Sequence, residues 1–219
     1  MSRAILFDFN GVIVNDEPQH CDALIATLAT YDYPLDKATY YRDYLGFDDR
    51  ECFRFTFERM GRPLSATLMQ EAIERKAEKY EAAIRASMQL VPGAAEFIRQ
   101  AAAEQIRMTI VSGALRREIE LVLTEAGLRP HFETLIAAED VDACKPSPQG
   151  YRKGLAALGL PPRDVVVIED SRPGLVAARA AGLRCAMLTT SHPAEELGEA
   201  DVIWSDLTGH TPAELPWAR

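Results

Sequence analysis

The sequence predicts an α/β protein: a core built on a parallel sheet flanked by helices, with a small all-α segment inserted after the first strand. Three patterns carry that reading. Ala4-Ile5-Leu6-Phe7 is an apolar run with no polar alternation, as suits a strand covered on both faces. From Glu17 to about Ser87 apolar residues recur three and four positions apart, and no convincing strand interrupts them. From Val91-Pro92-Gly93 onward, helical and strand-like stretches alternate in the manner of βαβ units. The expected division is therefore a core of residues 1–16 and 88–219 around a helical insert of residues 17–87.

The first strand delivers Asp8, and the chain then bends at Asn10-Gly11. In open parallel sheets ligands bind beyond the carboxyl ends of the strands, which makes Asp8 a candidate for chemistry. A competing reading is a hairpin, because Asn-Gly stands between Ile5-Leu6-Phe7 and Val12-Ile13-Val14; Asp8 would then be a solvated turn acid. Within the insert, breaks at Pro34, Gly46 and Gly61-Arg62-Pro63 separate helices at roughly 17–30, 36–44, 48–60 and 65–87, the last capped by Ser65. Lys37, Lys76 and Lys79 read as lying on exposed faces of these helices.

Past Gly93 a helix to about residue 105 leads to the strand Met108-Thr109-Ile110-Val111, which ends in Ser112-Gly113. A helix over roughly 115–126 stops at Gly127 and is followed by the strand Thr134-Leu135-Ile136. Lys145-Pro146 then precedes a helix that runs to about Leu158. Asp164-Val165-Val166-Val167-Ile168 is the clearest strand, and it ends in Glu169-Asp170-Ser171. A helix over roughly 173–181 stops at Gly182, before strands at Cys185–Leu188 and Val202–Trp204.

Composition narrows the function classes. With 219 residues, 47% of them hydrophobic and 26% charged, the chain can build one large domain or a core with an insert. A net charge of −9 argues against nucleic-acid and anionic-membrane partners, while leaving room for a local basic pocket. Cys21, Cys52, Cys144 and Cys185 form no Cys-x-x-Cys pair, which suits reduced thiols. Met1-Ser2-Arg3 opens no leader pattern and no apolar run approaches the ~20 residues of a membrane span, so a cytoplasmic location is expected.

Each strand end has a plain reading when taken alone: Ser112 as a helix N-cap, Lys145 as a solvated loop lysine, Asp170-Ser171 as a second cap. At one rim of one parallel sheet they make a different set. Oxygen donors from Asp8 and Asp170 suit magnesium, which binds through one or two carboxylates and a substrate phosphate. Ser112 and nearby helix-terminal N–H groups would hold phosphate oxygens, and Lys145 would offset the assembled negative charge.

In this order and spacing, Asp8-Phe9-Asn10-Gly11-Val12, Ser112-Gly113, Lys145-Pro146 and Glu169-Asp170-Ser171 with Gly174 beyond resemble the four motifs of the haloacid dehalogenase superfamily. The resemblance covers essentially the whole chain, and the insert resembles the helical cap of the β-phosphoglucomutase and sugar-phosphate phosphatase subgroup. It implies a Rossmann-like core, a Mg2+ cofactor and a small phosphorylated metabolite as substrate. Asp8 would be the nucleophile that takes the phosphoryl group, with Ser112 and Lys145 binding that group. The metal would lie among Asp8, Asp170 and the main-chain carbonyl of Asn10, with Glu169 close by. Ser112, Gly113, Arg50, Arg116 and His20 are the candidates for substrate binding, and the cap would close over the rim to expel water. A monomer or weak homodimer is expected.

The chain departs from the family pattern at Asn10, where phosphatases and mutases usually carry a second aspartate that acts as general acid–base. An amide can do neither, and such a loss typically costs about 10²–10⁴-fold. Asn15-Asp16-Glu17 also differs from the usual Asp-Thr-Glu or Asp-Ser-Glu, and Leu45 stands where the β-phosphoglucomutase pattern has lysine. The sequence therefore predicts a phosphatase of low activity, with Asp16, Glu17 or His20 able to replace part of the missing base. Alternative readings are a phosphomutase and a phosphate-ligand binding or regulatory protein that has lost turnover.

Overall fold

The computed structural model describes residues 2–218; Met1 and Arg219, the outer ends of the expected core, lie outside it. The chain falls into two compact units, one made of the residues up to Asn15 and from Gln89 on, the other of Asp16–Met88.

The first unit is built on a parallel sheet of six strands: β1 (Ala4–Phe7), β2 (Arg107–Val111), β3 (Thr134–Ile136), β4 (Val165–Glu169), β5 (Arg184–Leu188) and β6 (Val202–Trp204). Their order is β3-β2-β1-β4-β5-β6, and every pairing is parallel. Helices α5 (Ala94–Ala103), α6 (Arg116–Glu125), α7 (Gln149–Leu158) and α8 (Arg172–Ala180) connect them. Alternate residues of each central strand serve opposite faces. Leu6, Val165, Val167, Cys185 and Met187 pack with Tyr151 and Leu158 of α7 and Leu175, Ala177 and Ala178 of α8. On the other face Phe7 meets Phe97 of α5 and Phe132 edge-on. Cover on both faces is why β1 and β4 read as unbroken apolar runs.

Strand order settles the hairpin alternative. The partners of β1 are β2 and β4, so Val12-Ile13-Val14 does not return alongside it. Instead the chain after Asp8 coils tightly, with Ile13 N–H donating to Phe9 O at 2.8 Å and Gly11 N–H to Val14 O at 2.7 Å. Gly11 takes φ +71°, a conformation open to glycine at little cost. The chain leaves and re-enters this unit as a matched pair: Val14 bridges Leu90 antiparallel, and Asn15 N–H donates to Gln89 O.

The second unit contains α1 (Glu17–Leu28), α2 (Lys37–Asp43), α3 (Asp49–Arg59) and α4 (Ala66–Ala86), with α1 packed along α4. Their starts are written in the sequence: Asp36 and Ser65 cap α2 and α4, and Asp48 with Glu51 closes a capping box on α3. One expectation fails. Lys76 is not on an exposed face but is 1% exposed, its ammonium 2.9 Å from Asp49 and 2.6 Å from His20 Nδ1. His20 in turn lies 3.3 Å from Asp16, which also accepts the Tyr80 hydroxyl. Charges buried in this way are stable only as a mutually satisfied set, and helical periodicity does not distinguish a buried lysine from a solvated one.

Candidate active site

Parallel register brings the carboxyl ends of β1 and β4 side by side, with Phe7 opposite Ile168, and Asp8 N–H continues the ladder to Ile168 O at 2.9 Å. The strand order reverses between these two strands, which is where open α/β sheets bind ligands beyond the strand tips. Asp8 follows β1 there, while Glu169 is the last residue of β4 and not, as its sequence position suggested, the first beyond it.

Asp8, Glu169 and Asp170 are all buried, and their carboxylate oxygens lie within 4.8 Å of one another. Lys145 donates to Asp8 Oδ1 and to Glu169 Oε1, each at 2.6 Å. It is carried in from the loop before α7 across a cis peptide to Pro146. Glu169 is fully engaged: Oε1 also accepts the Tyr151 hydroxyl, and Oε2 accepts Asp170 N–H, Ser171 N–H and the Ser171 hydroxyl. Ser171 additionally caps α8 through Gly174 N–H. A Cβ on Gly174 would stand 1.7 Å from Glu169 Oε1, so only glycine lets α8 start this close to the carboxylate.

Charge at this rim is unbalanced. Burial and repulsion from Glu169 push Asp8 up to about 7 despite the offsetting Lys145. Burial, Glu169 and Asp8 likewise push Asp170 well above the usual carboxylate range. Burial works against ionised Glu169 too, but the Lys145 ammonium and the N–H donors outweigh it and hold it below its ordinary value. Burial also disfavours the Lys145 ammonium, yet Asp8 and Glu169 raise it further than burial lowers it. Three carboxylates against one ammonium leave negative charge that a divalent cation would neutralise, and hard oxygen donors are what magnesium takes. The residues present therefore fit such an ion.

The other predicted residues are placed as follows. Asn10 stands in the turn after Asp8, its backbone bridged to Val14. Ser112 directly follows β2 and is buried; its hydroxyl accepts Ala114 N–H, while α6 begins only at Arg116, so Ser112 is not its N-cap. The expectation that helix-terminal N–H groups there bind phosphate meets an obstacle, because Leu115 N–H is taken by Glu118 and Arg116 N–H by Glu139. The Arg116 guanidinium is held by Asp140 and by Leu135 O. Gly113 is exposed beside Ser112. In the helical unit Arg50 is exposed and His20 belongs to the Lys76 set.

Sequence reasoning missed three groups. Tyr151 carries no signal of its own, since an aromatic on a helix face reads as core. Thr190 and Ser191 follow β5: Ser191 donates to Asp170 Oδ2, and Thr190 Oγ1, which donates to Gly11 O, lies 3.3 Å from the same oxygen. A hydroxyl run directly after a buried strand, Thr189-Thr190-Ser191, was the available clue.

Known proteins resemble this chain in sequence and fold. Residues 2–182 match the family described as haloacid dehalogenase-like hydrolase. Validoxylamine A 7'-phosphate phosphatase from Streptomyces hygroscopicus subsp. limoneus is 31% identical over 209 residues, covering 95% of each chain. Hexitol phosphatase B from Escherichia coli strain K12 is 28% identical, over 97% of this chain and 96% of its own. The crystal structure of CbbY from Rhodobacter sphaeroides in complex with phosphate superposes with a TM-score of 0.89 at 28% identity, over 98% of this chain and 99% of its own. A mutant of that CbbY, with an aspartate exchanged for asparagine, was crystallised with xylulose-(1,5)bisphosphate and gives the same TM-score, identity and coverage.

Proposed function

We propose that this chain, which belongs to the haloacid dehalogenase-like hydrolase family, is a magnesium-dependent phosphatase of a small phosphorylated metabolite, with sugar phosphates and their close analogues as the favoured class. It is a hydrolase acting on phosphate esters, like its relatives that remove phosphate from validoxylamine A 7'-phosphate and from hexitol phosphates. The observation that carries the reading is the cluster of Asp8, Glu169 and Asp170 around Lys145 at the tips of adjacent parallel strands.

Asp8 is assigned as nucleophile. One carboxylate oxygen forms a bond to phosphorus as the ester P–O bond breaks, giving an aspartyl-phosphate and releasing the alcohol. Water then attacks phosphorus, freeing inorganic phosphate and restoring Asp8. Lys145 holds the transferring oxygens and is itself held by Glu169, whose orientation Tyr151 and the turn into α8 fix. Ser112 and Gly113 complete the phosphate grip. Asp8, Asp170 and the main-chain carbonyl of Asn10 would hold magnesium, which supplies charge neutralisation for the phosphoryl oxygens. Asn10 cannot protonate the departing oxygen, so the alcohol takes its proton from water and turnover is slow for poor leaving groups.

Phosphate release from a panel of sugar phosphates and p-nitrophenyl phosphate with Mg2+ tests this. Asn10→Asp should be faster by about 10²–10⁴, and Asp8→Asn should be inactive. Undiminished turnover by Asp8→Asn would overturn the reading.

A further inference from the structure

Asp170 is buried among like charges, and its hydrogen bonds come from an unexpected source. Its neighbour Glu169 is held by main-chain N–H groups, a lysine and a tyrosine. Asp170 Oδ2 instead accepts from the Ser191 hydroxyl in the loop after β5, and Thr190 Oγ1 of the same loop lies 3.3 Å from it. Strand register explains how they arrive. Glu169 lies opposite Met187, so Asp170 comes level with the last residue of β5 and the loop that starts at Thr189 lies just beyond it. Thr190 Oγ1 also lies 2.6 Å from Gly11 O, so the same side chain reaches the turn that follows Asp8. Gly11 keeps the space open, since a Cβ there would stand 1.9 Å from Asp170 Oδ2 and 3.1 Å from Ser191 Oγ.

Hydroxyls in exposed loops ordinarily bond to nearby backbone or to water. Here Ser191 turns to a carboxylate just past the end of the neighbouring strand, and Thr190 stands between that carboxylate and the Gly11 carbonyl. We infer that Thr190 and Ser191 are positioning residues for the cation site: Ser191 fixes the rotamer of Asp170 through its hydrogen bond, and Thr190, anchored on the Gly11 carbonyl, holds the loop against it, so that Asp170 is aimed before the metal arrives. The inference rests on the proposed magnesium site and names residues outside its four motifs. Neither residue touches the ion or the substrate; both act through Asp170. Partners that orient a metal ligand typically control affinity by 10–100-fold when removed.

Direct binding of Mn2+, followed by electron paramagnetic resonance of the free ion, separates this role from a general structural one. The double variant Thr190→Val/Ser191→Ala should bind Mn2+ about 10–100-fold more weakly than the parent. Its circular dichroism and its melting temperature in EDTA should match the parent's. Thr190→Ser and Ser191→Thr keep the hydroxyls and should restore affinity to within about threefold, whereas Asp170→Asn should abolish binding. Unchanged affinity in the double variant overturns the inference and leaves the metal reading standing, as does weakened affinity that the hydroxyl-retaining variants share. Should the double variant fail to fold, that hydroxyl-retaining pair decides against single Ser191→Ala. A parent chain that binds no Mn2+ overturns the metal reading itself, and this inference with it.

Discussion

Asp8 answers to two conflicting demands. As the proposed nucleophile it is required to be ionised, yet burial and Glu169 push it up to about 7. Without a cation, the folded state therefore holds a proton on Asp8 that the unfolded chain, with an ordinary carboxylate near 3.8, releases earlier. Between those values the folded form binds more protons, so the stability contribution of Asp8 falls as pH rises from about 4 to 7. Asp8→Asn removes that loss. In EDTA the variant should gain on the parent as pH is raised from 5 to 8, on the order of 2–4 kcal/mol by urea denaturation. A difference that is constant with pH would show that the carboxylate is not strained in this way. Asp8 itself was legible as the polar residue ending an apolar run. Its strain was not, because that arises from burial in the folded chain and from Glu169, which is distant in the sequence.

At the scale of elements, most of the fold could be read and the errors have identifiable causes. The Ser65 cap announced α4, and a β-branched run announced β4. The strand expected over Asp164–Ile168 lies one residue later, at Val165–Glu169, where the lysine and the N–H donors satisfy a buried glutamate at its last position. Lys76 was misread for a related reason: α4 presents a charged residue to its packed face, and only the fold supplies Asp49 and His20 as partners. Breaking such a set leaves buried carboxylate charge without its cation. Lys76→Met should lower the stability of the chain by about 3–5 kcal/mol, read by denaturant titration, whereas Lys37→Met, at an exposed ion pair with Asp22, should change it by less than about 1 kcal/mol. Equal effects would mean that the Lys76 contacts contribute no more than a surface pair.

For the whole molecule, the family and its α/β architecture were visible in four short motifs because a parallel sheet delivers strand ends to one rim whatever lies between them. What the motifs could not convey is how the rim is held: Tyr151, Thr190 and Ser191 act from stretches that read as core or loop. The same rim predicts a response to metal, since excess negative charge should make the folded state the one that binds it. Mg2+ at a hundredfold excess over its dissociation constant should add about 2.7 kcal/mol, a rise in melting temperature of roughly 5–10 °C for a chain of this size. Asp170→Asn should remove most of that rise, and an equal rise in the variant would place the ion elsewhere. Covalent transfer to Asp8 is the central claim, and Asn10 makes it open to direct observation because the missing base slows hydrolysis of the phosphoenzyme. The decisive measurement is acid-quenched peptide mass spectrometry after incubation with Mg2+ and a substrate that is turned over. The account predicts one phosphoryl group on the peptide carrying Asp8, lost in Asp8→Asn and depleted in Asn10→Asp. Phosphate on any other residue, or turnover by Asp8→Asn without a phosphoenzyme, would contradict it.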